Sequence, residues 1–206
     1  MNVENAQLHR RLHRAVRPLD DLPQPPGWNR SEIHDILPAT PLRTAAVLVG
    51  LVERDNGFAV LLTQRNEHLT QHAGQISFPG GATETYDVDA IATALRETRE
   101  EVGVGAESIT AFGYLDCFET VSGFSVTPVV AEVASSYIAM PDPREVAAVF
   151  EVPLAFFMDE NNLRRRRMEY RGRPRDIFEF HFGEKNIWGA TAAMLLSLVR
   201  RLEAIT

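Results

Sequence analysis

Three carboxylates crowd one face of a predicted helix in the run Arg96-Glu97-Thr98-Arg99-Glu100-Glu101-Val102-Gly103. At spacings of three and four residues, Glu97, Glu100 and Glu101 are neighbours, and like charges so placed repel by roughly a few tenths of a kcal/mol per pair. They also fall in the last turns before Gly103, a C-terminal cap signal, where the negative end of the helix dipole disfavours anions. A hard divalent cation turns both costs into binding, because Mg²⁺ takes carboxylate oxygens and is shared with substrate phosphates. The pattern therefore suits a metal-dependent enzyme acting on phosphates. The competing reading is a solvated face in which Arg96 simply pairs with Glu100 at i,i+4.

The elements that must position these acids are legible on either side. Upstream, Phe78-Pro79-Gly80-Gly81 leads into a polar stretch over 82–87, and Ile91, Ala94, Leu95, Thr98 and Val102 then recur at helical spacing, with Asp87 as the expected N-cap. The order is strand, glycine loop, helix, with the acids folding back near the loop. Apolar runs at 43–52 and 58–63 flank Asn56-Gly57, the strongest short hairpin signal. Further strands are expected at 109–115, 125–133, 147–152, 163–170 and 177–182, and a closing helix at 188–202. Residues 1–22 read as a helix carrying Leu8, Leu12 and Ala15, broken by Pro23-Gln24-Pro25-Pro26-Gly27. A mixed sheet between the Glu97 helix and the closing helix accommodates all of this, making the fold class α/β with an α/β/α sandwich.

The acidic run also resembles the second half of the Nudix hydrolase signature, Arg-Glu-x-x-Glu-Glu-x-Gly followed by a hydrophobe, here Val104. The first half departs from it: five residues after Gly81 stands Asp87 instead of glutamate, and eight residues, not seven, separate Asp87 from Arg96. Residues 61–81, Leu-Leu-Thr-Gln-Arg-Asn-Glu-His-Leu-Thr-Gln-His-Ala-Gly-Gln-Ile-Ser-Phe-Pro-Gly-Gly, resemble the coenzyme A pyrophosphatase branch of that family. Similarity continues through Gly123-Phe124, Val126, Pro128-Val129-Val130, Glu145-Val146, Val152-Pro153-Leu154 and Ile187-Trp188-Gly189-Ala190-Thr191-Ala192. Asn66 replaces a usual serine and Thr70 a usual arginine or lysine, a cation that could read the 3′-phosphate of CoA.

The resemblance implies a Nudix domain over 41–206 behind an N-terminal helical arm and Pro-rich lead-in over 1–40. It also implies cleavage of a pyrophosphate linkage by water, with Mg²⁺ or Mn²⁺ as cofactor. Glu97 and Glu101 would bind metal most directly, Glu100 would complete or bridge the site, and Gly80-Gly81 would let backbone atoms approach cation and phosphates. Arg96 would hold a carboxylate by a bidentate contact, or form a surface ion pair, or touch substrate. Glu100 or Glu101 could take the proton from water, but a metal-bound carboxylate is a weaker base, which makes Glu145 a rival. Arg65 and Gln75 would orient substrate phosphates or the loop. His68 and His72 lack acid or cysteine partners and read as local hydrogen-bonding groups. Cys117 reads as a strand residue, and Trp188 as an anchor for the last helix.

CoA or acyl-CoA would yield 3′,5′-ADP and (acyl-)4′-phosphopantetheine. Alternatives are hydrolysis of ADP-ribose or another nucleoside diphosphate derivative, a Nudix-like regulator that binds without cleaving, and a prenyl diphosphate isomerase, for which Cys117 lacks a catalytic neighbourhood.

Composition narrows the setting. The chain has 206 residues, 45% of them hydrophobic, and no apolar span long enough for a bilayer. A net charge of −7 argues against a nucleic-acid or anionic-membrane binder and leaves a small nucleotide as the expected partner. His9-Arg10-Arg11-Leu12-His13-Arg14 and Arg164-Arg165-Arg166-Arg167 are local basic patches that could grip phosphates or be solvated faces, and an arginine of the second could compensate for Thr70. A single cysteine, Cys117, forms no internal disulfide, and no apolar run follows the N-terminal basic patch, so a cytoplasmic location is expected. The N-terminal arm suggests a possible homodimer.

Overall fold

A computed structural model describes residues 2–69, 72–170 and 172–205. Its elements run α1 (Val3–Ala15), α2 (Arg30–Ile33), β1 (Arg43–Arg54), β2 (Gly57–Arg65), β3 (Ile76–Ser77), β4 (Gly80–Ala82), α3 (Ala90–Val102), β5 (Ile109–Tyr114), β6 (Phe118–Glu119) and β7 (Phe124–Val133). After these come β8 (Val146–Pro153), α4 (Leu154–Met158), β9 (Leu163–Tyr170), β10 (Arg173–Phe182), β11 (Lys185–Trp188) and α5 (Gly189–Glu203).

The strand β1 is apolar on both faces and therefore lies at the centre. Ala45, Val49 and Leu51 enter one cluster while Ala46, Leu48 and Val52 enter the other. It pairs in parallel with β7, from Arg43↔Phe124 to Val52↔Val133, and antiparallel with β2 across the Asp55-Asn56 turn. The Asn-Gly hairpin forms, but Gly57 is already the first residue of β2, at φ 117°. Adding β3 and β8 on β2, β4 on β1, and β5 and β6 on β7 gives an eight-stranded mixed sheet. On one face α3 contributes Ala94 and Val102. On the other, Leu12 and Ala15 of α1 join Leu195, Leu198 and Leu202 of α5. Each such fully buried leucine stabilises the fold by about 1.5–3 kcal/mol. The α/β/α layering expected from the sequence is the observed architecture.

Several local expectations need correcting. The first helix ends at Ala15, well before Pro23, because Val16 turns extended and Arg17 bridges to Tyr114. Its cap is Asn2, whose side chain accepts from the Asn5 N–H at 2.8 Å. The strands after residue 153 do not extend the central sheet; β9, β10 and β11 form a separate three-stranded antiparallel sheet, of which β11 lacked a sequence signal. The arginine run 164–167 lies on β9 and makes its contacts within that sheet: Arg165 stacks over Phe178, and Arg166 donates to Glu179 Oε2 at 3.2 Å. Ile187 is fully buried before α5, while Trp188 is half-buried and serves as the N-cap residue. Cys117 is buried but sits just outside β6. Among the described residues, no helix is long and apolar enough to cross a membrane.

Candidate active site

The site is built where the C-terminal end of α3 meets β4. Gly103 adopts the left-handed conformation at φ 74° and closes the helix by donating to the Arg99 carbonyl, as a C-cap glycine should. Two carbonyls that the helix leaves open are taken by the loop before β8: Met140 N–H donates to Val102 at 2.8 Å and Asp142 N–H to Glu101 at 3.1 Å. The same loop delivers Glu145, whose carbonyl accepts from Asn66 N–H at 2.8 Å. The Asn66 side chain donates to the Pro143 carbonyl at 2.7 Å. The asparagine found where serine is usual thus ties the loop to the end of β2. Thr70, the other departure, lies outside the described residues.

One turn apart on α3, Glu97 and Glu101 face the two glycines. The Gly80 N–H donates to Glu101 Oε2 at 3.2 Å. A Cβ on Gly81 would stand 2.5 Å from the Glu97 carboxyl carbon, so only glycine lets the strand approach this closely. Exposure grades across the triad: the Glu101 side chain is 4% exposed, Glu97 16% and Glu100 58%. Burial pushes the Glu101 carboxyl up to about 7, against the lowering effects of the Gly80 N–H and Arg65, with the charges of Glu97 and Glu145 adding to the rise. Burial also raises Glu97, opposed by Arg96 and assisted by Glu100 and Glu145. Arg65, on β2, reaches Glu101 Oε1 only at 3.5 Å, and its buried Nε has no hydrogen-bond partner among the described residues.

Arg96 organises the outer rim. Its bidentate contact goes to Asp87, with Nε–Oδ1 at 3.0 Å and Nη2–Oδ2 at 2.9 Å. Single contacts go to Glu97 at 2.8 Å, Glu100 at 3.0 Å and the Ala82 carbonyl at 2.9 Å. Asp87 also accepts from the Glu84 N–H and the Thr93 hydroxyl, and its carboxyl is held well below the usual range, chiefly by Arg96. With its oxygens so engaged it does not cap α3; Asp89 does, accepting from Ala92 N–H at 2.7 Å. The acid standing where the signature has its early glutamate is therefore the anchor of Arg96, a role that pattern alone did not suggest.

The structure brings Arg65, Gly80, Gly81, Arg96, Glu97, Glu100, Glu101 and Glu145 to one place. Gln75 stands apart: its side chain meets His72 Nδ1 at 2.9 Å, and it supports the site only through its carbonyl, which accepts from Arg65 N–H at 2.9 Å. Asp87, Glu97, Glu100, Glu101 and Glu145 set five carboxylates against two guanidinium groups. With Asp87 committed to Arg96, the oxygen-only chemistry of Glu97, Glu100, Glu101 and Glu145 suits a hard divalent cation, around which these carboxylates would still have to gather.

Comparison with known proteins agrees with this geometry. Residues 41–171 match the NUDIX domain family model. The uncharacterized Nudix hydrolase NudL of Escherichia coli K12 is 37% identical over 160 residues, covering 78% of this chain and 83% of the relative. The homologue from Salmonella paratyphi B is 38% identical over the same shares. Among solved structures, a Caenorhabditis elegans Ap4A hydrolase superposes with a TM-score of 0.52 at 19% identity, covering 79% of this chain and 96% of that one. A MutT/nudix family protein from Enterococcus faecalis gives 0.51 at 16% identity, over 84% and 68%. Both structural likenesses speak for the fold. With the acidic helix end, the glycine turn and these relatives in agreement, the chain belongs to the Nudix family and is a pyrophosphohydrolase of that family.

Proposed function

We propose that the protein hydrolyses the pyrophosphate linkage of coenzyme A or acyl-CoA to 3′,5′-ADP and (acyl-)4′-phosphopantetheine, with Mg²⁺ or Mn²⁺ held by Glu97, Glu100 and Glu101. The observation that carries the hydrolytic reading is the seating of Glu97 and Glu101 against Gly81 and Gly80. The CoA reading is supported by the 61–81 segment, whose resemblance to the CoA pyrophosphatase branch includes Arg65, which reaches Glu101. When bound, divalent cations there neutralise the diphosphate and lower the pKa of the attacking water.

The protein's own groups divide the remaining work. Arg65, a quarter exposed and bonded to Glu101 only at 3.5 Å, offers its guanidinium to a phosphate oxygen. Glu145, outside the α3 carboxylates yet close enough for its charge to act on Glu97 and Glu101, takes the proton from water as its oxygen attacks phosphorus and the bridging P–O bond breaks. Arg96 holds Glu97 and Glu100 in place and, committed to Asp87, does not turn to substrate.

A product-resolved panel of CoA, acyl-CoA, dephospho-CoA and ADP-ribose with Mg²⁺ or Mn²⁺ tests this. CoA turning over faster than dephospho-CoA, with 3′,5′-ADP released, is the expected outcome. Equal rates, or preference for ADP-ribose, would move the substrate to the nucleoside diphosphate alternatives, which Thr70 favours by supplying no cation. Glu145→Gln should lower turnover by about 10²–10⁴-fold, and a loss under threefold would reject it as the base.

A further inference from the structure

Away from the carboxylate site, another group of side chains converges on a point. His9 and His13, one turn apart on α1, both direct Nε2 at Oε1 of Glu132 on β7, at 2.5 and 3.3 Å. The three donor atoms lie within 4.8 Å of one another. We infer that His9, His13 and Glu132 form a second metal site, selective for Zn²⁺ or a similar borderline cation, that clamps the N-terminal helix to the central sheet.

The donor chemistry separates this site from the first. Two imidazole nitrogens and one carboxylate oxygen are a set that Zn²⁺ takes as three protein ligands with a fourth position left for water. Mg²⁺ prefers oxygen and dehydrates reluctantly, so it competes poorly here. Tetrahedral bonds of about 2.0–2.1 Å place donor atoms roughly 3.3 Å apart. The His13–Glu132 separation already meets that spacing, and His9 has to withdraw by less than about 1 Å.

The backbones that carry these donors are fixed independently. Leu12 and Ala15 are in the core, and the buried Asn5 amide donates to Glu53 Oε1 at 3.0 Å and to the Arg54 carbonyl at 2.9 Å. The His13 ring stacks on Phe112 at 4.2 Å between centroids, and His9 lies 6.3 Å from Phe58, which restricts both imidazoles. Glu132 also lines an open cavity of about 230 Å³ that Glu53 and Glu107 share, so an acidic surface adjoins the third ligand. What reads in sequence as part of a basic patch is, on this side of α1, a pair of imidazoles aimed at a carboxylate.

Position keeps the two sites from being confused. Glu132 pairs with Leu51 and Thr110, near the far end of β1 from Val47 and Ala46, which pair with Gly80 and Gly81. Moreover α1 and α3 cover opposite faces of the sheet. Metal binding at the histidines can therefore be read without relying on hydrolysis.

The test uses the full chain, stripped with chelator and then kept in millimolar Mg²⁺ to occupy the carboxylate site. Titrated Co²⁺ should bind with one equivalent showing the intense visible absorption of a four-coordinate site, and Zn²⁺ should displace it. At a Zn²⁺ concentration about 100-fold above Kd the melting temperature should rise by roughly 5–10 °C. His13→Ala and Glu132→Gln should weaken binding at least about 100-fold, since each removes one of three ligands. His9→Gln keeps a hydrogen-bond donor for Glu132 but removes an imidazole, so it should retain the fold, lose the Co²⁺ spectrum, and hydrolyse diphosphates with Mg²⁺ as the unaltered protein does. No Co²⁺ spectrum in the unaltered protein, or an undiminished one in His9→Gln, would overturn the inference and leave a hydrogen-bonded clip with no metal.

Discussion

A single methyl group at Gly81 tests whether the carboxylate geometry on α3 is what makes the site work. The added Cβ would stand 2.5 Å from Cδ and Oε1 of Glu97 and 2.7 Å from Oε2. Non-bonded heavy atoms settle near 3.5 Å, so the carboxylate has to withdraw by about 1 Å. The backbone itself tolerates the change, because Gly81 does not occupy the left-handed region, and the displaced atoms are the free end of a side chain. Stability should therefore fall by no more than about 1 kcal/mol, while a 1 Å misplacement of a group that positions the reaction costs turnover about 10²-fold. Gly80→Ala is the contrasting variant. There φ is 156° and the Cβ would meet the Ala46 carbonyl oxygen at 2.5 Å and Val47 Cα at 2.6 Å, both backbone atoms that cannot step aside. Its cost should reach about 2–5 kcal/mol, lowering the melting temperature by roughly 5–15 °C. Turnover of a diphosphate substrate at saturating Mg²⁺, measured beside a circular-dichroism melt, separates the two. If Gly81→Ala keeps turnover within threefold, or melts as early as Gly80→Ala, the position of Glu97 is not what the glycine protects.

Glu101→Gln should lower turnover by at least about 10²-fold without lowering the melting temperature of the chelated protein at pH 8, since it removes a charge whose burial is unfavourable; a large drop in melting temperature would instead assign Glu101 a structural role. Asp87→Asn should cost about 1–3 kcal/mol at neutral pH by releasing Arg96. Because Arg96 holds Asp87 below its ordinary pKa, that contribution is complete above about pH 4 and is lost as pH falls through the depressed value. Denaturation curves of the two proteins should accordingly converge in acid, and a gap that persists there would contradict the ion-pair origin. Asn66→Ala, which frees the loop carrying Glu145 from Pro143, should reduce kcat about three- to tenfold with little change in KM; an altered KM with kcat intact would place Asn66 in substrate binding.

How much could be read in advance depended on how local each cause was. The hairpin at Asn56-Gly57, the helix ending at Gly103 and the closing helix are set by turn and capping residues within a few positions, and they appear where the sequence puts them. The Glu97–Glu101 face was equally legible, because helical spacing alone makes those residues neighbours. Asp87 was misassigned because capping and ion pairing draw on the same carboxylate, and Arg96, nine positions away, supplies two charge-assisted hydrogen bonds where a helix start supplies one. The Asn66–Pro143 bond and the docking of residues 140–145 on α3 join segments far apart in sequence, for which no spacing rule exists. The split into two sheets escaped for a similar reason, since alternation marks a strand but not its neighbour.

The division of labour between the faces of the central sheet has a practical corollary. One side carries the acids, while the other is roofed by Leu12 and Ala15 from the first helix, Val16 just beyond it, and Leu195, Leu198 and Leu202 from the last. A fragment trimmed to 41–171, the span matched by the family model, keeps every carboxylate of the candidate active site yet strips off both roofs. Val49, Leu51, Val60 and Leu62 would then face water across two adjoining strands, a sticky plane that recruits other molecules of its kind. Such a truncation should be recovered from the pellet, its chemistry intact on paper and its solubility gone.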